Sequence, residues 1–169
     1  MLILEADGLI KLYQAGVLEH VAQVYECIIP GGVCREAVTR ARERRYPDAE
    51  AIDRIIVGHI EVIQPTRLVE GDAGKASQFG VGETEAVSLA LETQSGAQQI
   101  IVSDDRRFLT YLTTLGVPFL PPSELIVEMV TQGFLTSAEG VRALERLRPL
   151  VRPVHYQQAN RRLKEEGLP

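Results

Sequence analysis

In QQIIVSDDRRFLTYLTTLGVPFL, residues 98–120, an apolar run ends in two acids, a helix follows, and a second apolar run closes the unit. QQIIVSDD reads as a buried strand. RRFLTYLTTLG reads as a helix stopped by Gly116, and VPFL as a short further strand. Strand, helix and strand at this spacing predict a parallel crossover.

The same rhythm runs through the upstream sequence. LILE (2–5) predicts a strand, and ADGLIKLYQAG (6–16) a helix with Leu9, Ile10, Leu12 and Tyr13 on one face. VLEHVAQVY (17–25) suits a second short helix. ECIIP (26–30) is a buried strand ended by Pro30 and the pair Gly31–Gly32. The next helix is expected from about Val33, with Val33, Cys34, Ala37, Val38 and Ala41 as its apolar stripe. Pro47 breaks it, and AEAIDRIIVG (49–58) resumes helically. IEVIQP (60–65) is a third strand. VEGDAGKASQFGVG (69–82) is a glycine-rich loop. ETEAVSLALETQSG (83–96) is a helix entered through Gly82 and left at Gly96. After residue 120 the sequence is helical in three blocks, SELIVEMVTQG (123–133), SAEGVRALERLRPLV (137–151) and HYQQANRRLKEEG (155–167). Ser137 with Glu139 resembles a helix cap. The alternation predicts an α/β fold with a mostly parallel sheet covered on both faces.

The chain has 169 residues, 45% of them hydrophobic, which suits one folded domain. At that length roughly 70% of the unfolded chain's surface becomes buried. No apolar run approaches the ~18 residues of a membrane helix, and MLILEADG is too short and acidic for a signal peptide. Cys27 and Cys34 fit a reducing compartment, so a cytoplasmic protein is expected. Three scattered histidines and no CxxC leave zinc without a case. The net charge of −5 does not advertise nucleic-acid binding. A cation held by carboxylates reverses the local field, however. Arginines outnumber lysines fifteen to three, and arginine suits bidentate phosphate contacts. The plain alternative is a solvated helix face with pairs such as Glu36–Arg40.

Acids recur where strands end or helices begin, at Glu5/Asp7, Glu36, Glu83 and Asp104/Asp105. In parallel sheets, ligands bind beyond the carboxyl ends of the strands. Carboxylates gathered there repel one another unless a cation joins them. Oxygen-only ligands select hard ions such as Mg²⁺ or Mn²⁺. Such sites suit metal-assisted attack on a phosphodiester. Ser103 is placed to support a ligand from behind. Lys11, Arg106 and Arg107 are candidate phosphate contacts. Glu85 lies about 200° around the helix from Glu83 and is expected in solvent. Either member of Asp104/Asp105 is suited to cap the following helix, leaving the other as ligand. A phosphoacceptor domain is disfavoured, because no lysine follows a strand.

Four segments, ILEADGLIKL (3–12), IIPGGVCREAV (28–38), GVGETEAVSLALE (80–92) and IIVSDDRRFLTYLTTLGV (100–117), occur in order and resemble the PIN-domain ribonucleases. The likeness is nearest to VapC-type toxins of toxin–antitoxin pairs. TQGFLTSAEGVRALERLR (131–148) resembles a branch with an added helical tail. The resemblance implies a three-layer α/β/α sandwich, with a PIN-like nuclease domain over 1–121 and a helical extension over 122–169 packing on it. It also implies a Mg²⁺ or Mn²⁺ site, cleavage of single-stranded RNA, a cognate antitoxin and a homodimer. Glu36 matches the acid on the helix after the second strand. Glu83 matches the acid of the G-x-G-E-x-x-A segment. Asp105 matches the aspartate two residues after a Ser or Thr, with Asp104 its neighbour. The first motif departs from the family pattern. Where the family usually has aspartate and then a small polar residue two places on, this chain has Glu5 and Asp7. Either is a candidate first ligand. The expected metal set is therefore Glu5, Asp7, Glu36, Glu83, Asp104 and Asp105, with Asp7, Glu36, Glu83 and Asp105 catalytic. The alternative is a catalytically impaired module that binds RNA or protein.

Overall fold

The structure is a computed structural model that describes residues 1–68, 79–92 and 99–165. The glycine-rich loop over 69–78, the helix stop at Gly96 and the Arg40 side chain lie outside the described residues.

Among the described residues, five strands form one sheet: β1 (Leu2–Leu4), β2 (Cys27–Pro30), β3 (Glu61–Ile63), β4 (Ile100–Val102) and β5 (Phe119–Leu120). Their order is β3-β2-β1-β4-β5 and every pairing is parallel. On β1, Ile3 pairs with Ile28 of β2 and Ile101 of β4. The alternation of strand side chains builds two separate cores. Leu2, Leu4, Cys27, Ile29 and Val102 face one side. Ile3, Ile28 and Ile101 face the other.

Helices cover both faces. On the first pack α1 (Ala6–Ala15), α2 (Leu18–Val24) and α5 (Ala49–His59). The three later helices join them: α8 (Pro122–Thr131), α9 (Ser137–Leu147) and α10 (Pro153–Glu165). On the second face pack α6 (Val81–Glu92) and α7 (Arg106–Leu115). This is a three-layer α/β/α fold. Leu9 and Leu12 of α1 and Leu125 and Ile126 of α8 are sealed into the larger core. Each such side chain contributes about 2 kcal/mol by leaving water. Among the described residues, no helix is long and apolar enough to cross a membrane.

The region between β2 and α5 differs from expectation. The helix begins at Gly31, directly on Pro30, rather than near Val33. It runs as α3 (Gly31–Cys34), a π-helical turn (Arg35–Arg40) and α4 (Ala41–Glu43). Its second residue, Gly32, packs against the backbone of Gly82 at the start of α6, where a side chain would crowd it. Thr136, not Ser137, caps α9. Its hydroxyl accepts from the Glu139 amide, and the Glu139 carboxylate accepts from Thr136 in return.

Candidate active site

The strand order places the chain's reversal between β1 and β4, the position where parallel sheets open a crevice. There a cleft of about 240 Å³ is lined by Glu5, Asp7, Glu36, Glu83 and Asp105. The remaining lining is small: Ala6, Gly80 and Gly82.

Several of these acids are fixed by helix-start amides. Glu5 caps α1, its Oε1 accepting from the Gly8 N–H at 2.9 Å. Asp105 caps α7, its Oδ1 accepting from the Phe108 N–H at 2.7 Å. Glu83 Oε2 accepts from the Gly80 N–H at 2.8 Å. Asp7 Oδ2 accepts from Lys11 Nζ at 2.8 Å and from the Asp104 N–H at 3.2 Å. Asp7, Glu83 and Asp105 are thus each oriented through one oxygen. Glu36 sits on the π-helical turn and is exposed. Such turns are frequent at functional sites.

Crowding acts on the protonation of the cleft. Burial, then the neighbouring Asp7, pushes the Glu5 carboxyl up to about 8, despite hydrogen bonds from Gly8 and Ser103. Burial also raises Glu83, with Asp105 and Glu36 adding repulsion and Arg107 opposing it. Ser103 is fully buried and supports two acids. It hydrogen-bonds Glu5, and its Oγ accepts from the Asp105 N–H at 3.2 Å.

Glycines let the walls approach. A Cβ on Gly32 would stand 3.0 Å from the Gly82 nitrogen, and one on Gly82 would stand 2.9 Å from Val33 Cγ2. The helix starts bearing Glu36 and Glu83 therefore touch. Glu85 ties them together. Its Oε2 accepts from the Gly32 N–H at 2.6 Å, and its Oε1 pairs with Arg35 at 3.1 Å.

Four expectations from the sequence differ from the structure. Glu85 is buried rather than solvated, because α6 buries residues around more than one face. Asp104 lies outside the cleft. Its carboxylate accepts instead from Lys11, from Arg152 and from His155. Asp105 both caps α7 and lines the cleft, so the two duties do not divide between the aspartates. Lys11 is committed to Asp7 and Asp104 rather than presented to solvent. Arg106 and Arg107 are exposed beside the cleft residue Asp105.

The donor set is all oxygen, which fits a hard divalent ion and not zinc. Among the described residues no three such groups form a ready-made metal cage. The acids line one cleft without converging on a point. Mg²⁺ tolerates this, since it keeps several waters and needs only one or two protein carboxylates.

A family model described as a PIN domain matches residues 1–165, and the chain belongs to that family. PIN domains are generally nucleases that use divalent metal ions. No curated protein and no solved structure matches the chain.

Proposed function

We propose that the chain is a Mg²⁺- or Mn²⁺-dependent endoribonuclease that cuts single-stranded RNA. We place it in the cytoplasm as the toxin of a type II toxin–antitoxin pair, working as a homodimer. One observation carries the nuclease reading: five carboxylates from four chain segments line a single cleft at the sheet's reversal point. Glu5 and Glu83 are both raised, by burial first and then by carboxylate neighbours, Asp7 for Glu5 and Asp105 and Glu36 for Glu83, and a cation would relieve that repulsion.

Asp7, Glu83 and Asp105 would hold the ion through the oxygens that their amide bonds leave over, with Glu36 on the facing wall. Glu5 forms the buried floor. A bound divalent ion supplies activation of water and neutralisation of phosphate charge. Arg106 and Arg107 would hold the RNA backbone. Residues 1–121 would form the nuclease unit and 122–169 its supporting extension.

The test is cleavage of several structured and unstructured RNAs with Mn²⁺ or Mg²⁺, comparing wild type with Asp105→Asn. Cleavage should fall about a hundredfold in the variant. A wild type that cuts none of the RNAs would favour the second reading, an inert RNA- or protein-binding module. The buried, proton-holding Glu5 is the observation behind that alternative. Glu5→Gln and Asp7→Asn, tested separately, assign the first ligand.

A further inference from the structure

Asp104 is a buried carboxylate with no place in the cleft, yet it gathers more partners than any cleft acid described above. The Arg152 N–H donates to its Oδ2 at 2.8 Å, and Lys11 Nζ donates to the same oxygen at 3.2 Å. His155 Nδ1 and Arg152 Nε meet its Oδ1. An amide, an ammonium and a guanidinium converge on this buried carboxylate, so both of its oxygens accept. An ionised carboxylate can only accept, so His155 Nδ1 carries the proton. The Arg152 guanidinium then donates to Nε2 of the same ring. Arg152 and His155 stand at the entry to α10, 48 and 51 residues after Asp104 in sequence. On its other side, Asp104 donates its own N–H to Asp7 and shares Lys11 with it. A continuous polar chain therefore runs from the start of α10 to one oxygen of a cleft acid.

We infer that Arg152 and His155 are positioning residues for the cleft, acting through Asp104 and Lys11 to fix the carboxylate of Asp7. The inference rests on the proposed metal-dependent reading. The physical argument is one of competition for Lys11. With Arg152 and His155 in place, Asp104 is satisfied on both oxygens and Lys11 is shared between two aspartates. With them gone, the buried Asp104 charge draws Lys11 to itself, because an unpaired buried anion is costly. Asp7 then loses its anchor and its defined rotamer. Support of this kind behind a ligand commonly governs metal affinity.

The experiment measures Mn²⁺ affinity by isothermal titration on the full chain, with circular dichroism of each variant as the check on folding. His155→Leu should bind Mn²⁺ about tenfold more weakly than wild type. His155→Asn, which restores an N–H near the Nδ1 position, should recover most of that loss. In an Asp7→Asn background, His155→Leu should change the affinity no further, since the effect passes through Asp7. A folded His155→Leu with wild-type Mn²⁺ affinity overturns the inference, as does an equal loss in the Asp7→Asn background. Should His155→Leu not fold, Arg152→Ala carries the same comparison, because its guanidinium is partly exposed and its backbone amide survives. A wild type that binds no Mn²⁺ refutes the metal-dependent reading itself, whereas binding that is indifferent to Arg152 and His155 refutes only the wiring.

Discussion

Glu5 serves two purposes that oppose each other. Its Oε1 caps α1, while burial and Asp7 push its proton affinity up from an ordinary value of 4.5 to about 8. A carboxyl raised by folding contributes stability fully below its unfolded value, and that contribution is lost as pH rises through the folded one. Asp104 is lowered, so its contribution is present above the unfolded value and lost as pH falls through the carboxylate range. Without divalent ions, the melting temperature should therefore peak near the top of the ordinary carboxylate range, fall as pH rises from about 4.5 to about 8, and level off above that. Glu5→Gln, which cannot ionise, should flatten that fall. Thermal melts at closely spaced pH values check this, and an unchanged fall in the variant would refute the assignment. The residue scale is also where sequence reading was weakest. Adjacent Asp104 and Asp105 differ only in how the chain turns after β4. The Lys11 pair with Asp7 lies within one helical turn, but its second partner, Asp104, is 93 residues away in sequence and no spacing shows it.

At the scale of elements, the cleft depends on helix starts packed without side chains between them. A Cβ on Gly8 would overlap the Val102 carbonyl oxygen, so α1 lies directly on the end of β4. Gly58, late in α5, has nothing near its own added Cβ. Gly8→Ala should cost about 3 kcal/mol by overpacking against backbone. Gly58→Ala should instead add about 0.5 to 1 kcal/mol by restricting the unfolded chain. Urea denaturation of the two variants tests the contrast, and similar midpoints would count against the packing described. Element existence was legible because apolar blocks are bounded by Gly and Pro, as at Gly16 and Gly116, both of positive φ. Element orientation was less so. Its spacing from Glu83 puts Glu85 in solvent only if α6 buries a single face, whereas a helix set between the sheet and α3 buries more than one.

For the whole molecule, the strand order β3-β2-β1-β4-β5 brings together acids that sequence spacing keeps far apart. The parallel sheet, and the sheet edge at which the acids gather, followed from the strand–helix alternation. The reach of the last three helices did not, because their apolar faces name no partner. Leu125, Met129, Leu144, Leu147 and Leu163 share one core with Leu4, Leu9 and Leu12 of β1 and α1. A chain ending at residue 121 should therefore leave α1 uncovered, bind a hydrophobic dye and lose its cooperative melt. Cooperative unfolding of that truncation, at wild-type temperature, would show residues 1–121 to be self-sufficient. One last consequence follows from the amides that hold Glu5, Glu83 and Asp105. These acids are employed by the chain's own helices whether or not an ion is present, unlike the ligands of a zinc finger, which have no fold without metal. Under the proposed chemistry, the protein can be synthesised, assembled and stored with its cleft idle. Ion supply then sets the dose of activity and leaves the amount of folded protein alone.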